Sequence, residues 1–106
     1  MLMAQLKIDI PREALEEFCR RWKITELAVF GSALRDDFRP DSDIDFLVTF
    51  GPDAEWSLFD HMAAEQELAE IVQRKVDLVS RRAIEQSHNW IRRKAILGSA
   101  QVVYAA

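Results

Sequence analysis

GSALRDDFRPDSDIDFLV, residues 31–48, is the stretch on which the reading of this chain turns. Before it, Glu26-Leu27-Ala28-Val29-Phe30 has the apolar, β-branched character of a strand, and Ile44-Asp45-Phe46-Leu47-Val48 has it again. Between them lie a glycine-serine turn, ten further residues and an Asp-x-Asp at the head of the second strand. A turn without a bulky side chain at Gly31 lets backbone N–H groups approach phosphate oxygens, and Ser32 adds a hydroxyl. Should a short helix begin at Ser32, its N-terminus favours anions as well.

Successive strand side chains alternate faces, so Asp43 and Asp45 share one face while Ile44 and Phe46 turn into packing. Their Cα atoms should lie roughly 6–7 Å apart. Carboxylates so spaced suit Mg²⁺, a hard cation that takes oxygen ligands and keeps substrate phosphates in its shell. Two such ions, about 3.5–4 Å apart, would clamp both oxygens of a nucleotidyl transfer. Further on, Lys75-Val76-Asp77-Leu78-Val79 reads as a third strand with Asp77 facing away from Val76 and Leu78. An aspartate within a strand runs against β-propensity. Placed beside Asp43 and Asp45, it completes a triad, as a metal ligand and as the base for an attacking hydroxyl.

This ordered set resembles the nucleotidyltransferase superfamily of the DNA polymerase β type, and most closely its minimal nucleotidyltransferases (MNT). Gly31, Ser32, Asp43, Asp45 and Asp77 match the pattern position by position, and Leu34-Arg35, Asp37-Phe38 and Ser42 add to the likeness. It runs from about Ile10 to Tyr104, with one departure at Asp36, where many relatives carry glycine. The resemblance implies the polymerase β-type fold, an ATP-binding site and a HEPN-domain toxin as partner. It also implies an antitoxin that transfers AMP from ATP onto that toxin (AMPylation).

Other readings of the acidic run are weaker. A solvated acidic turn does not account for the Gly31-Ser32 spacing or for Asp77. An EF-hand loop requires a glycine and a closing glutamate that are absent. A dehalogenase-type Asp-x-Asp follows an apolar strand, whereas this one precedes it. Arg35 either neutralises triphosphate charge or pairs with Asp36 or Asp37. The Arg92-Arg93-Lys94 run reads as a solvated helix surface, with partner binding as its alternative. Trp22 is a core residue by its spacing, Trp56 packs or stacks on a purine, and Trp90 is half-buried. His88 falls on an apolar stripe and His61 carries no signal.

At 106 residues the chain is expected to be a single nucleotidyltransferase domain, 1–106, without a second substrate domain. Apolar residues at 49% and charged residues at 30% describe a soluble globular protein. A net charge of −4 argues against direct nucleic-acid binding. One cysteine, Cys19, fits a cytoplasmic protein, and no signal sequence or membrane span is evident.

Helical spacing places Leu15, Phe18, Cys19 and Trp22 on one stripe after Pro11. A brief helix is expected after Ser32, with a turn at Pro40-Asp41-Ser42. A second long helix over 57–73 carries a stripe of Leu58, Met62, Ala69 and Val72. Ser80 caps a last helix, with Ile84, Ile91 and Ala95 inward and Gly98 at its C-cap. Residues 101–104 form a possible edge strand. The expected fold is α/β (α+β), a small mixed sheet of three to four strands covered by helices. Once the triphosphate site and the helices covering the sheet are built, no segment remains for a second-substrate pocket.

Overall fold

In the computed structural model, which describes residues 10–31 and 43–106, a four-stranded sheet sits between two helical layers. The elements run α1 (Arg12–Arg21), β1 (Ile24–Phe30), β2 (Ile44–Phe50), α2 (Leu58–Val72), β3 (Val76–Ser80), α3 (Arg81–Glu85), α4 (Trp90–Ser99) and β4 (Gln101–Ala105). The strand order is β3-β2-β1-β4. Strands β2 and β3 are parallel, and β1 is antiparallel to both β2 and β4. The sheet is therefore mixed and four-stranded, with residues 101–105 supplying one edge. The helix expected after Ser32 and the turn at 40–42 lie outside the described residues.

Alternation along β2 divides the interior. Ile44, Phe46 and Val48 join Leu15, Phe18, Cys19, Leu27, Val29, Leu68 and Leu78 in the larger core, under α1 and α2. Leu47 faces the other way, with Ala28, Phe30, Ile84 and Ile96 under α3 and α4. Both faces of β1 are thus covered, and Leu27, Ala28, Val29 and Phe30 are all buried in sequence. Asp45 has the parity of Leu47, so it faces the α4 side. Burial, aided by the charge of Glu16, pushes the Cys19 thiol up to about 12, leaving it un-ionised at neutral pH.

Helix α2 begins as its sequence suggests. Ser57 Oγ accepts from Asp60 N, and Asp60 Oδ2 accepts from Ser57 N at 2.9 Å. Its inward face, however, is Ala64, Leu68 and Val72. The helix meets the core through its C-terminal half, so Leu58 and Met62 stand 74% and 56% exposed rather than forming the buried stripe.

The last helix is two helices. Helix α3 closes at Gln86, and Asn89 caps α4 by accepting from Arg92 N at 3.1 Å. This break resets the helical phase. Ile96 is buried in place of Ile91 and Ala95, His88 is exposed, and Trp90 is 61% exposed rather than half-buried. Gly98 lies within α4, whose C-cap is Ala100.

Two tryptophans tie α1 to α2. Trp22 Nε1 donates to Glu67 Oε2 and Arg21 donates to Glu67 Oε1, each at 2.7 Å. Trp56 meets Trp22 edge-on and donates from Nε1 to the Trp22 carbonyl at 2.8 Å, so it packs. Burial alone would raise the Glu67 carboxyl, but the hydrogen bonds from Arg21 and Trp22, with the Arg21 charge, outweigh it and leave the group lowered. A depressed carboxyl stabilises the fold above its unfolded value, about 4.3, and that contribution disappears as pH falls through the folded value. Glu67→Gln should therefore narrow the stability gap between neutral pH and the acid side of that window. Thermal melts across pH for both proteins check it, and curves that stay parallel would refute it.

At the β3 edge, two α2 side chains occupy backbone groups of Leu78. Glu65 Oε2 accepts from Leu78 N at 2.8 Å, and His61 Nε2 donates to the Leu78 carbonyl at 2.7 Å.

Candidate active site

Phe30, the last residue of β1, pairs with Asp45. Gly31 follows it directly, with φ +74°, in the left-handed region that favours glycine. A Cβ built at Gly31 would run into Asp45 Oδ2, so only glycine lets the chain pass this close to the carboxylate. Gly31 and Asp45, separate in sequence, are in contact in the fold.

Asp45 is in turn the register partner of Asp77 across the parallel β2–β3 pair. Neighbouring strands lie about 4.8 Å apart, and laterally paired residues share a face, so these carboxylates stand side by side. Asp45 is half-buried and Asp77 exposed. Both open into a concavity of about 600 Å³, with Phe30 at the end of β1, Gly31 directly after it, and Arg92, Ala95, Ile96 and Ser99 from α4.

Asp43 is exposed and precedes β2, whose pairing with β3 begins when Ile44 N donates to the Lys75 carbonyl at 3.0 Å. Asp43 is not among the residues that line the concavity. Among the described residues no group of three His, Cys, Asp or Glu side chains lies close enough to hold a metal ion. Ser32 and Arg35 lie outside the described residues. The donor chemistry still suits Mg²⁺, which is commonly bound through one or two carboxylates with phosphate oxygens and waters completing its shell. In the sequence Arg92 stands only as part of the basic run Arg92-Arg93-Lys94. Its spacing to Ala95, Ile96 and Ser99 becomes meaningful once α4 is known to start at Trp90.

A second concavity, about 500 Å³, contradicts the expectation that no segment remains for another pocket. It is lined by Phe50, Trp56, His61, Ser80 and Arg81, among others. These lie around the C-terminal ends of β2 and β3, whereas Asp45 and Asp77 lie near the starts of those strands.

A mixed four-stranded sheet under helices, with a glycine-ended central strand beside paired carboxylates, has the nucleotidyltransferase fold. Residues 11–103 match the nucleotidyltransferase domain family, and the chain belongs to it. A curated relative, "Putative protein adenylyltransferase MJ0126" of Methanocaldococcus jannaschii, is 31% identical over 88 residues, covering 83% of this chain and 85% of its own. A solved structure named "Structure of putative minimal nucleotidyltransferase" is 34% identical, with a TM-score of 0.63 over 84% of this chain and 85% of that one. A toxin–antitoxin crystal structure with AMP-PNP shares the fold at a TM-score of 0.68 and 19% identity, over 92% and 75% of the two chains. So does a structure of tri-AMPylated Shewanella oneidensis HEPN toxin in complex with MNT antitoxin, at 0.59 and 18%, over 90% and 70%. Among the described residues no helix is long and apolar enough to cross a membrane.

Proposed function

We propose that this chain is a Mg²⁺-dependent protein adenylyltransferase, a cytoplasmic antitoxin that moves AMP from ATP onto a hydroxyl of a HEPN-domain toxin. The observation that carries the reading is Asp45 standing opposite Asp77, with Gly31 against Asp45, at one open concavity. The kinship with an adenylyltransferase-named relative supports the reaction, and the toxin–antitoxin neighbours suggest the partner.

In this reading Gly31 and Ser32 would hold phosphate oxygens, Arg35 would add a positive charge, Asp45 and Asp77 would hold the metal at the concavity, and Asp43, at the head of β2, would be a further ligand. When bound, Mg²⁺ supplies neutralisation of charge on the phosphoryl oxygens. Asp77, exposed at the concavity, accepts the proton of the acceptor hydroxyl. The hydroxyl oxygen then bonds to the α-phosphorus as the α–β bridging P–O bond breaks, and pyrophosphate leaves. A docked partner provides the proximity that the transfer requires.

Incubation with α-labelled ATP, Mg²⁺ and a cognate HEPN protein should label the HEPN protein strongly and this chain weakly. Mass spectrometry should find added AMP on a tyrosine, serine or threonine of the partner. Toxin neutralised with no label would instead establish a nucleotide-binding antitoxin acting by occlusion. Label on an aminoglycoside and on no protein would establish a small-molecule adenylyltransferase.

A further inference from the structure

Helix α4 turns a single face to the concavity that holds Asp45 and Asp77. Arg92, Ala95, Ile96 and Ser99 recur at i, i+3, i+4 and i+7, spanning about 10 Å at 1.5 Å per residue. Ile96 anchors this face in the core beneath, and Ala95 and Ser99 leave space above it. Arg92 is the one cation among the described residues that line the concavity.

The charge at Arg92 has no acidic partner among the described residues. Its neighbour Arg93 is engaged elsewhere, donating to the Ser87 carbonyl at 3.1 Å. Among the described residues, the hydrogen bond that engages Arg92 locally is that of its backbone N–H, in the Asn89 cap. A nucleoside triphosphate would bring several negative charges to a concavity already carrying two carboxylates. A guanidinium there suits it, because its planar fork binds phosphate oxygens in pairs.

Resting on the nucleotide-binding reading above, we propose that Arg92 is a polyphosphate-binding residue, reaching the triphosphate from the α4 wall of the concavity. Calorimetric titration of wild type, R92A and R92K with ATP and with adenosine tests it. R92A should bind ATP about tenfold or more weakly, since a charge-assisted contact is lost. Its adenosine affinity should match wild type, and R92K, retaining charge without the fork, should recover part of the loss. The ATP affinity of R92A should also depend less steeply on salt. Because Arg92 is exposed and caps through its backbone, circular dichroism of R92A should match wild type. R92A binding ATP as tightly as wild type overturns the inference and leaves the nucleotide site standing. An equal loss for adenosine and ATP also overturns it, since phosphate would then not be what Arg92 reads. Wild type failing to bind ATP overturns the nucleotide reading itself.

Discussion

Replacing Asp45 with asparagine should cut nucleotidyl transfer about a thousandfold and leave the fold at least as stable. The reason is its place opposite Asp77. Like charges directly across a strand pair repel, so removing one relieves the sheet of an unfavourable contact. Asparagine preserves the volume and can still accept a hydrogen bond at one oxygen. What disappears is a charged oxygen ligand in the proposed site. Metal-assisted stabilisation of phosphoryl oxygens amounts to several kcal/mol, and about 4 kcal/mol corresponds to roughly a thousandfold in rate. Transfer rates on a labelled partner and thermal melts in EDTA check the two halves separately. Undiminished transfer would remove Asp45 from the site, and a variant that fails to fold would show the residue to be structural.

Gly31→Ala should damage both stability and activity. A non-glycine residue held at φ +74° costs about 1–2 kcal/mol, which for a domain of this size is a fall of roughly 5–10 °C in Tm. The new methyl group would also meet the Asp45 carboxylate. That side chain is short, so it relieves the collision by turning away from its position beside Asp77. Transfer should therefore fall well beyond what the lost stability explains, measured at a temperature where the variant remains folded. Gly98→Ala is the natural control. Among the described residues nothing lies near a Cβ built at Gly98, and within α4 alanine is the better helix former, so that variant should be about 0.5–1 kcal/mol more stable. A Gly31→Ala protein with wild-type transfer would show that Asp45 need not stay where Gly31 leaves it.

The strands were legible because their signals are local. Alternation in Ile44-Asp45-Phe46-Leu47-Val48 and Val76-Asp77-Leu78 identified both the elements and the outward parity of their acids. Which residues meet across strands is a different question. The Asp45–Asp77 pairing depends on a register set by residues some thirty positions apart, and periodicity within one strand carries no information on it. Helix faces are hidden from the sequence for a related reason. Leu58 and Met62 are spaced like core residues, but only the placement of α2 on the sheet shows that its first turns lie clear of the interior. In the last helical segment the sequence did contain a signal, Asn89 as an N-cap, which a continuous helix from Ser80 obscured. Composition alone groups Arg92 with Arg93 and Lys94, whereas in the fold Arg92 lines the concavity with Asp45 and Asp77 and Arg93 turns back to the Ser87 carbonyl.

The Glu65 and His61 contacts to Leu78 have a consequence for how this molecule meets others. An edge strand offers unpaired N–H and C=O groups, a template on which another chain can add itself as a further strand. At Leu78 both groups are already taken, the donor by a carboxylate and the acceptor by an imidazole, so α2 stands in for the absent neighbour. A foreign strand could pair there only by first displacing both side chains and leaving them to find water. The edge nearest the carboxylates is thus closed to sheet extension at its midpoint, by two side chains of α2 rather than by a proline.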